Sequence, residues 1–390
     1  MSCLRRFTRG RHRPCRRATP TGGHVTGPFT RRAPFRPRAA VRAALLGTLT
    51  ACLAFAMAGP GAVTASAAGT DALPLSGATT SGLHNSYDPA TFTYLAQALD
   101  TGTSMIELDV WDDFFTQEWK VSHSNPTGNS NNCVNASSAS QLYTGGANKD
   151  LESCLDDVRL WLGAHPGHGP LYIKLEMKAG FQATFGMSPA KLDQSISAHL
   201  GGLVFKPSDL LDKPGGGQYA TLDAAASAGN WPTRQQLAGK VVLEIIPGTV
   251  EESNPTDSLW TDQEYAGYLR DLHNQGRTSQ ANVFPSVHNA QAGDPRSRYS
   301  DTSLRPWFVA FDGDAATYLN GSIDTGWYDT HHYLLFMTDA QNVPPALDDV
   351  NPSTADAQAR VTQLAKAHAT VASNDWKALP DVQSMVVPRG

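Results

Sequence analysis

Three carboxylates and an amide, Glu107, Asp109, Glu176 and Asn85, sit in segments with apolar flanks, and His84 and His123 are interleaved among them. The segments read Leu-His84-Asn85-Ser-Tyr, Ile-Glu107-Leu-Asp109-Val and Ile-Lys174-Leu-Glu176-Met-Lys178. Hard oxygen donors of this kind suit Ca2+, and a cation beside two imidazoles suits the cleavage of a phosphate ester. Taken singly, each acid reads as a surface or ion-pair residue, and Glu176 has Lys174 and Lys178 as ready partners. The set together with His84-Asn85 reads as a ligand set.

Such chemistry needs elements that aim the side chains at one point. Glu107 and Asp109 are one residue apart, so on a strand both leave the same face, while Ile106, Leu108 and Val110 leave the other. The segment at 170–177 repeats the pattern, with Leu171, Ile173 and Leu175 on one face and Lys174, Glu176 and Lys178 on the other. Three carboxylates brought together repel one another unless a cation or protons neutralise them. A Ca2+ ion held by Asn85, Glu107, Asp109 and Glu176 resolves that conflict. Imidazole transfers protons near neutral pH and, as a cation, stabilises phosphoryl charge, which gives His84 and His123 a use at such a site. His288 and the pair His331-His332 lack that context and read as packing or loop residues.

Strand-like runs are expected at 79–83, 103–109, 118–123, 170–177, 240–246, 306–311, 333–338 and 369–373, with 282–287 as an extra. Helix signals lie between them. Asp88-Pro89 precedes a stripe of Phe92, Leu95, Ala96 and Leu99. Leu151, Leu155, Val158 and Leu162 form a second stripe, ended by Gly163 and Pro166. Thr261 with Glu264 reads as a capping box, and Ser353 opens a later helix through Val361 and Leu364. The Gly215-Gly216-Gly217 run reads as a loop. The rhythm points to an α/β fold, a single distorted (β/α)8 TIM barrel with long βα loops, and carboxylates at the C-terminal strand ends sit where such barrels keep their sites. An open doubly wound sheet is the alternative.

Residues 1–42 of the 390 carry 12 arginines and no acid, and an apolar run from Ala43 to Ala58 leads to Ala65-Ser66-Ala67. This reads as an export signal over residues 1–67, cleaved near Ala67, with Arg31-Arg32 as a weak twin-arginine match. Residues 68–390 are then the functional domain, and the protein is expected to be secreted. Removing 12 of the 31 basic residues while keeping all 36 acids leaves a net charge of about −17 with histidines neutral. That balance argues against nucleic-acid binding and against charge-driven adhesion to anionic membranes. Of five cysteines, Cys3, Cys15 and Cys52 leave with the signal, and Cys133 and Cys154 are expected to pair.

At these residues the sequence resembles the Ca2+-dependent phosphatidylinositol-specific phospholipase C family, in its small secreted bacterial form. The family's His-Asn-Ser/Thr-Tyr is matched by His84-Asn85-Ser86-Tyr87, its Glu-x-Asp by Glu107 and Asp109, its second histidine by His123, and its later glutamate by Glu176. The match spans residues 78–180. The resemblance implies a TIM barrel, bound Ca2+, and attack by an inositol hydroxyl on the neighbouring phosphodiester, giving diacylglycerol and an inositol (cyclic) phosphate. It implies a carboxylate, Glu107 or Glu176, as proton acceptor, His84 on the phosphoryl charge and His123 as donor to the leaving group, the two imidazole roles being open to exchange. Lys174 and Lys178 are assigned to the phosphate. Calcium-independent relatives carry an arginine where the metal would sit, and no arginine lies near these motifs.

A lipid substrate requires transient, peripheral contact with a membrane surface. Trp111, Phe114, Phe115 and Trp119 follow the Glu-x-Asp strand, where packing under a loop is the first expectation and insertion into the interface the second. No protein partner is evident, and a monomer is expected. Two other readings share the metal barrel: a secreted glycerophosphodiester phosphodiesterase, which usually opens with His-Arg-Gly, and a non-catalytic Ca2+-dependent headgroup- or polyol-binding protein.

Overall fold

Parallel strands run round a closed ring, and residue alternation along each strand decides what the interior contains. The strands are β1 Ala78–Leu83, β2 Met105–Asp113, β3 Glu118–Val121, β4 Leu171–Met177, β5 Val241–Pro247, β6 Val283–His288, β7 Ala310–Asp314, β8 Leu334–Thr338, β9 Val371–Asn374 and β10 Val386–Pro388. Eight of them close in the order β1-β2-β4-β5-β6-β7-β8-β9, all parallel, and the molecule is a TIM barrel. This computed structural model describes residues 67–146 and 148–390. Apart from its last residue, the expected export segment lies outside them.

On β4, Leu171, Ile173 and Leu175 are fully buried, and the register sets Lys174 beside Glu107 on one side and Glu244 on the other. The seam between β1 and β2 is narrow. It consists of the Leu83–Ile106 pairing, a Ser104 N–H to the Ser81 carbonyl (3.2 Å), and the Ser86 hydroxyl, which donates to the Glu107 carbonyl (3.1 Å) and accepts from its N–H (3.3 Å).

Two expected strands change place. Residues 118–121 are not a barrel strand. β3 folds back antiparallel on the projecting half of β2, Val110 opposite Val121, because β2 runs nine residues and outgrows its barrel neighbours. The extra run at 282–287 takes the vacated place as β6. The strand expected at 306–311 begins later, since Arg305–Trp307 form a turn of 3-10 helix.

The helices follow their apolar stripes. Five of them are α1 Leu95–Leu99, α2 Leu151–Ala164, α3 Pro189–His199, α4 Thr261–Asn274 and α5 Thr354–Lys366. Leu151, Leu155, Val158 and Leu162 of α2 are buried as the stripe requires. Asp88-Pro89 does not start a helix: residues 88–91 form turns, and α1 starts only at Leu95. Thr261 does not cap α4. Its N–H and hydroxyl both go to Glu251 Oε1, at 2.7 and 3.2 Å, so a buried acid from the preceding loop holds the helix start. Ser353 caps α5 through the Asp356 N–H (3.1 Å). Cys133 and Cys154 form a disulfide that ties the long 124–149 loop to α2. Among the described residues no helix is long and apolar enough to cross a membrane.

Candidate active site and metal centre

β1 ends in a turn rather than continuing. Asn85 adopts a left-handed backbone (φ 49°), a conformation asparagine tolerates better than most residues. That turn points the Asn85 N–H at Glu107 Oε2 (3.3 Å) and leaves its amide oxygen to accept the Tyr87 hydroxyl (2.9 Å). The same hydroxyl interacts with the Asp109 carboxyl, so Tyr87 links the amide to the acids. From β2 and β4, Glu107, Asp109 and Glu176 each offer an oxygen, and these oxygens lie within 4.8 Å of one another. Glu107 and Asp109 are both 2% exposed.

Two observations indicate that this cluster suits a cation. Asp109 Oδ1 is buried and accepts no hydrogen bond among the described residues. Burial and the neighbouring charges of Glu107 and Glu176 push the Asp109 carboxyl up to about 7. Lys178 partly offsets this, its ammonium lying 2.8 Å from Glu176 Oε1 and 3.2 Å from Asp109 Oδ2. An all-oxygen set of three carboxylates with an amide nearby fits Ca2+ and would be a poor match for a metal that prefers nitrogen or sulfur.

The loop after β5 completes this wall. Gly248 lies so close to Lys178 that an added Cβ would come 2.6 Å from its Cα, and this approach carries the Thr249 N–H to Glu176 Oε1 (3.2 Å).

His84 stands between two carboxylates. Its Nδ1 is 3.0 Å from Asp375 Oδ1 and its Nε2 is 3.4 Å from Glu107 Oε2. Burial opposes the charge on the ring, but Glu107 and Asp375 outweigh it and raise the pKa to about 9. Glu107 is itself held below the usual carboxylate range: burial pushes it up, and Lys174 and His84 more than reverse that. Lys174 pairs with Asp312 (3.0 Å) and Glu107 (3.4 Å) inside the barrel, above a Glu244 carboxyl that burial and Asp312 hold well above the usual carboxylate range.

His84, Glu107, Lys174 and Glu176 line a cavity of about 160 Å3, closed on the far side by Glu252, His288, Asp312 and Asp339. A larger groove of about 790 Å3 between α3 and α4 contains none of these residues. His123 is exposed beyond β3 and does not line the 160 Å3 cavity. Its neighbour Ser122 donates an N–H to the Asp109 carbonyl (3.2 Å), which keeps His123 next to the acid cluster along the chain. Both expected phosphate-binding lysines are engaged with acids, Lys174 in the interior and Lys178 at the cluster.

Comparison with known proteins places this chain in a family. The model of the Ca2+-dependent phosphoinositide phospholipase C matches residues 83–264. A Ca2+-dependent phosphatidylinositol-specific phospholipase C from Streptomyces antibioticus is 55% identical, with 82% of this chain and 100% of that chain covered and a TM-score of 0.79. The chain belongs to the Ca2+-dependent phosphoinositide phospholipase C family. It is therefore an enzyme of the phosphoric diester class, in a family that depends on Ca2+. A calcium-dependent phosphoinositol-specific phospholipase C from a Gram-negative Pseudomonas sp. shares the fold at 22% identity, with 82% of this chain and 97% of that chain covered and a TM-score of 0.60. No curated protein matches.

Against this phospholipase C background, Asp375 and Asp312 are residues that sequence reading did not single out, and His288, read there as a packing or loop residue, lines the cavity. Each had a signal, because each sits at or just past the end of an expected strand. The expected strands stopped at 311, 287 and 373, one or two residues short of these side chains.

Proposed function

We propose that the protein is a secreted, Ca2+-dependent phosphatidylinositol phospholipase C that cleaves the glycerol–phosphate bond by attack of an inositol hydroxyl. Diacylglycerol leaves, and an inositol (cyclic) phosphate remains. The observation that carries this reading is the convergence of Glu107, Asp109 and Glu176, two of which, Glu107 and Glu176, line one cavity with His84. Residues 1–67 act as the export segment and 68–390 as the catalytic domain. The Cys133–Cys154 bridge suits an oxidising compartment.

Asn85, Glu107, Asp109 and Glu176 would hold the ion, which would lower the pKa of the attacking hydroxyl and neutralise phosphoryl charge. Glu107, kept ionised by Lys174 and His84, accepts the hydroxyl proton, with Glu176 as the other carboxylate in reach of the cluster. His84 is kept cationic by Glu107 and Asp375 and places positive charge against the phosphoryl oxygens. His123, outside the cavity on the exposed rim, protonates the departing glycerol oxygen on the side open to the lipid. Lys178, paired with Asp109 and Glu176 beside the residues that would hold the ion, supplies a cation for the phosphate, while Lys174 stays below and neutralises Glu107 and Asp312.

Membrane contact falls to a small aromatic ridge. Trp119 is buried, and the Trp111 Nε1–H donates to the Ser122 carbonyl (2.8 Å), so both belong to the fold. Phe115 is 87% exposed and Phe185 56%, and both pack at a tilt against Phe114, with ring centroids at 4.3 and 5.1 Å. Apolar rings left in water at the barrel mouth fit a lipid interface better than free solution.

The test is turnover of phosphatidylinositol vesicles with and without a Ca2+ chelator, with products read by 31P spectroscopy. Chelator-sensitive release of inositol phosphates supports the reading. Cleavage only of deacylated, water-soluble diesters would replace it with a glycerophosphodiesterase.

A further inference from the structure

At the N-terminal ends of the strands, away from Glu107 and Asp109, two arginines are buried against one short stretch of chain. The Arg234 N–H donates to the Leu73 carbonyl (2.9 Å), and Arg389 Nη1 donates to the Ser76 carbonyl (2.8 Å). Tyr172, near the start of β4, stands in the field of both guanidinium groups. Arg234 is 3% exposed, Tyr172 1% and Arg389 9%.

Their donors are not used up. Among the described residues, Arg234 Nε and Nη1, Arg389 Nη2 and the Tyr172 hydroxyl are buried with no hydrogen-bond partner. The rest of Arg389 is committed, Nε to the His368 carbonyl (2.6 Å) and Nη1 to those of Ser76 and Tyr333. A Cβ added at Gly169 would come 2.8 Å from Arg234 Nη2, so the chain entering β4 is thinned where that guanidinium sits.

Nor is the charge balanced. Arg389 has Asp329 Oδ1 at 3.6 Å, but Arg234 makes no ion pair among the described residues, and Asp71 acts on it from beyond that range. A buried carboxyl such as Asp109 lowers the cost of burial by taking up a proton, whereas a guanidinium keeps its charge. Tyr172 does not supply the missing negative charge. Burial pushes its pKa up, and the positive charges of Arg234 and Arg389 only partly reverse that.

We infer that Arg234, Arg389 and Tyr172 bind a small inorganic anion, chloride by its abundance, beneath the barrel. It accepts the unused N–H and O–H donors and supplies the counter-charge that Arg234 lacks. Water would answer the donors but not the charge. The depth of all three groups favours a halide over a phosphate ester. Arg234 reaches the Leu73–Ser76 segment from the loop before β5, and Arg389 reaches it from just past β10. The ion therefore fastens the entry into β1 and the β10 edge to the barrel floor.

The test is calorimetric melting of the purified protein with Ca2+ chelated, in sodium chloride and in sodium gluconate at equal ionic strength. Wild type is expected to melt about 2–6 °C higher in chloride, and bromide is expected to act like chloride. Tyr172→Phe removes one donor and keeps both charges, so it should need several-fold more chloride for the same shift. Arg234→Met should show no shift. Crystals grown in bromide are expected to give an anomalous peak in contact with both guanidinium groups. Equal melting of wild type in the two salts would overturn the inference, as would a chloride shift that survives Arg234→Met unchanged. Water density at that place without an anomalous signal would do the same. Should Arg234→Met fail to fold, Tyr172→Phe and the bromide crystals decide: an unchanged chloride requirement or a missing peak overturns the site.

Discussion

Asp375 Oδ1 lies 3.0 Å from His84 Nδ1, joining residues 291 positions apart across the start and end of the barrel. A carboxylate on one ring nitrogen fixes the orientation of the imidazole and favours its cation. Asp375→Asn keeps a polar neighbour and removes the charge. The expected result is a loss of about 100-fold in kcat with little change in KM. The His84 pKa falls when that charge is gone, so the alkaline limb of the kcat/KM profile moves to lower pH. A profile that stays in place would mean Asp375 does not act through His84.

Asp109 separates ion binding from folding. It is crowded by Glu107 and Glu176, and its carboxyl is pushed up to about 7. Asp109→Asn relieves that repulsion, so the ion-free variant is expected to melt at or above the wild-type temperature. Wild type should gain about 2.7 kcal/mol of stability at Ca2+ one-hundredfold above its Kd, and the variant should lose most of that gain. Calorimetric melts with and without Ca2+ read both effects.

Lys178 competes with the ion for the same oxygens, at 2.8 Å from Glu176 and 3.2 Å from Asp109. Lys178→Met is expected to tighten Ca2+ binding several-fold by titration calorimetry and to raise KM, because the phosphate loses a cation. Weaker Ca2+ binding in the variant would refute the competition.

Much of the site was legible because strand alternation is a local rule. Glu107 and Asp109 had to share a face, and Lys174 and Glu176 followed suit on β4. What stayed hidden depends on register and distance. Nothing near His84 in sequence announces Asp375, a strand end placed one residue short concealed Asp312, and His288 read as packing because no acid near it in sequence gave it a context. β3 was misread because a strand that overshoots its barrel can recruit a private partner, and its composition matches that of a barrel strand. The stretch from Asp88 has a helical stripe, but its carbonyls and N–H groups are spent in turns around the site loop.

The aromatic ridge gives a fourth expectation. Phe115→Ser removes the most exposed ring without touching the core. Activity on phosphatidylinositol vesicles is expected to drop about 5- to 10-fold while activity on a short-chain, monomeric substrate is kept. Equal losses on both substrates would argue against a role in lipid contact.

Asp157 reports on pH. It accepts the Val134 N–H (2.7 Å) beside the disulfide, and burial raises its carboxyl to about 7 despite that hydrogen bond. Between about pH 4 and 7 the folded chain keeps this proton and the unfolded chain releases it, so stability declines as pH rises and levels off above 7. Asp157→Asn retains an acceptor without the charge. Its Tm is expected to exceed wild type by about 2–4 °C at pH 8, with a smaller difference at pH 5.

The narrow junction of β1 with β2 also has a dynamic consequence. Asn85 stands on one lip and Glu107 on the other, so a divalent ion gripped by both would act as a clasp where the ring is thinnest. Amide hydrogen exchange across residues 83–86 should therefore slow markedly when Ca2+ is added, while the opposite side of the barrel keeps its rate. Taking up the ion and closing the circle would then be one event.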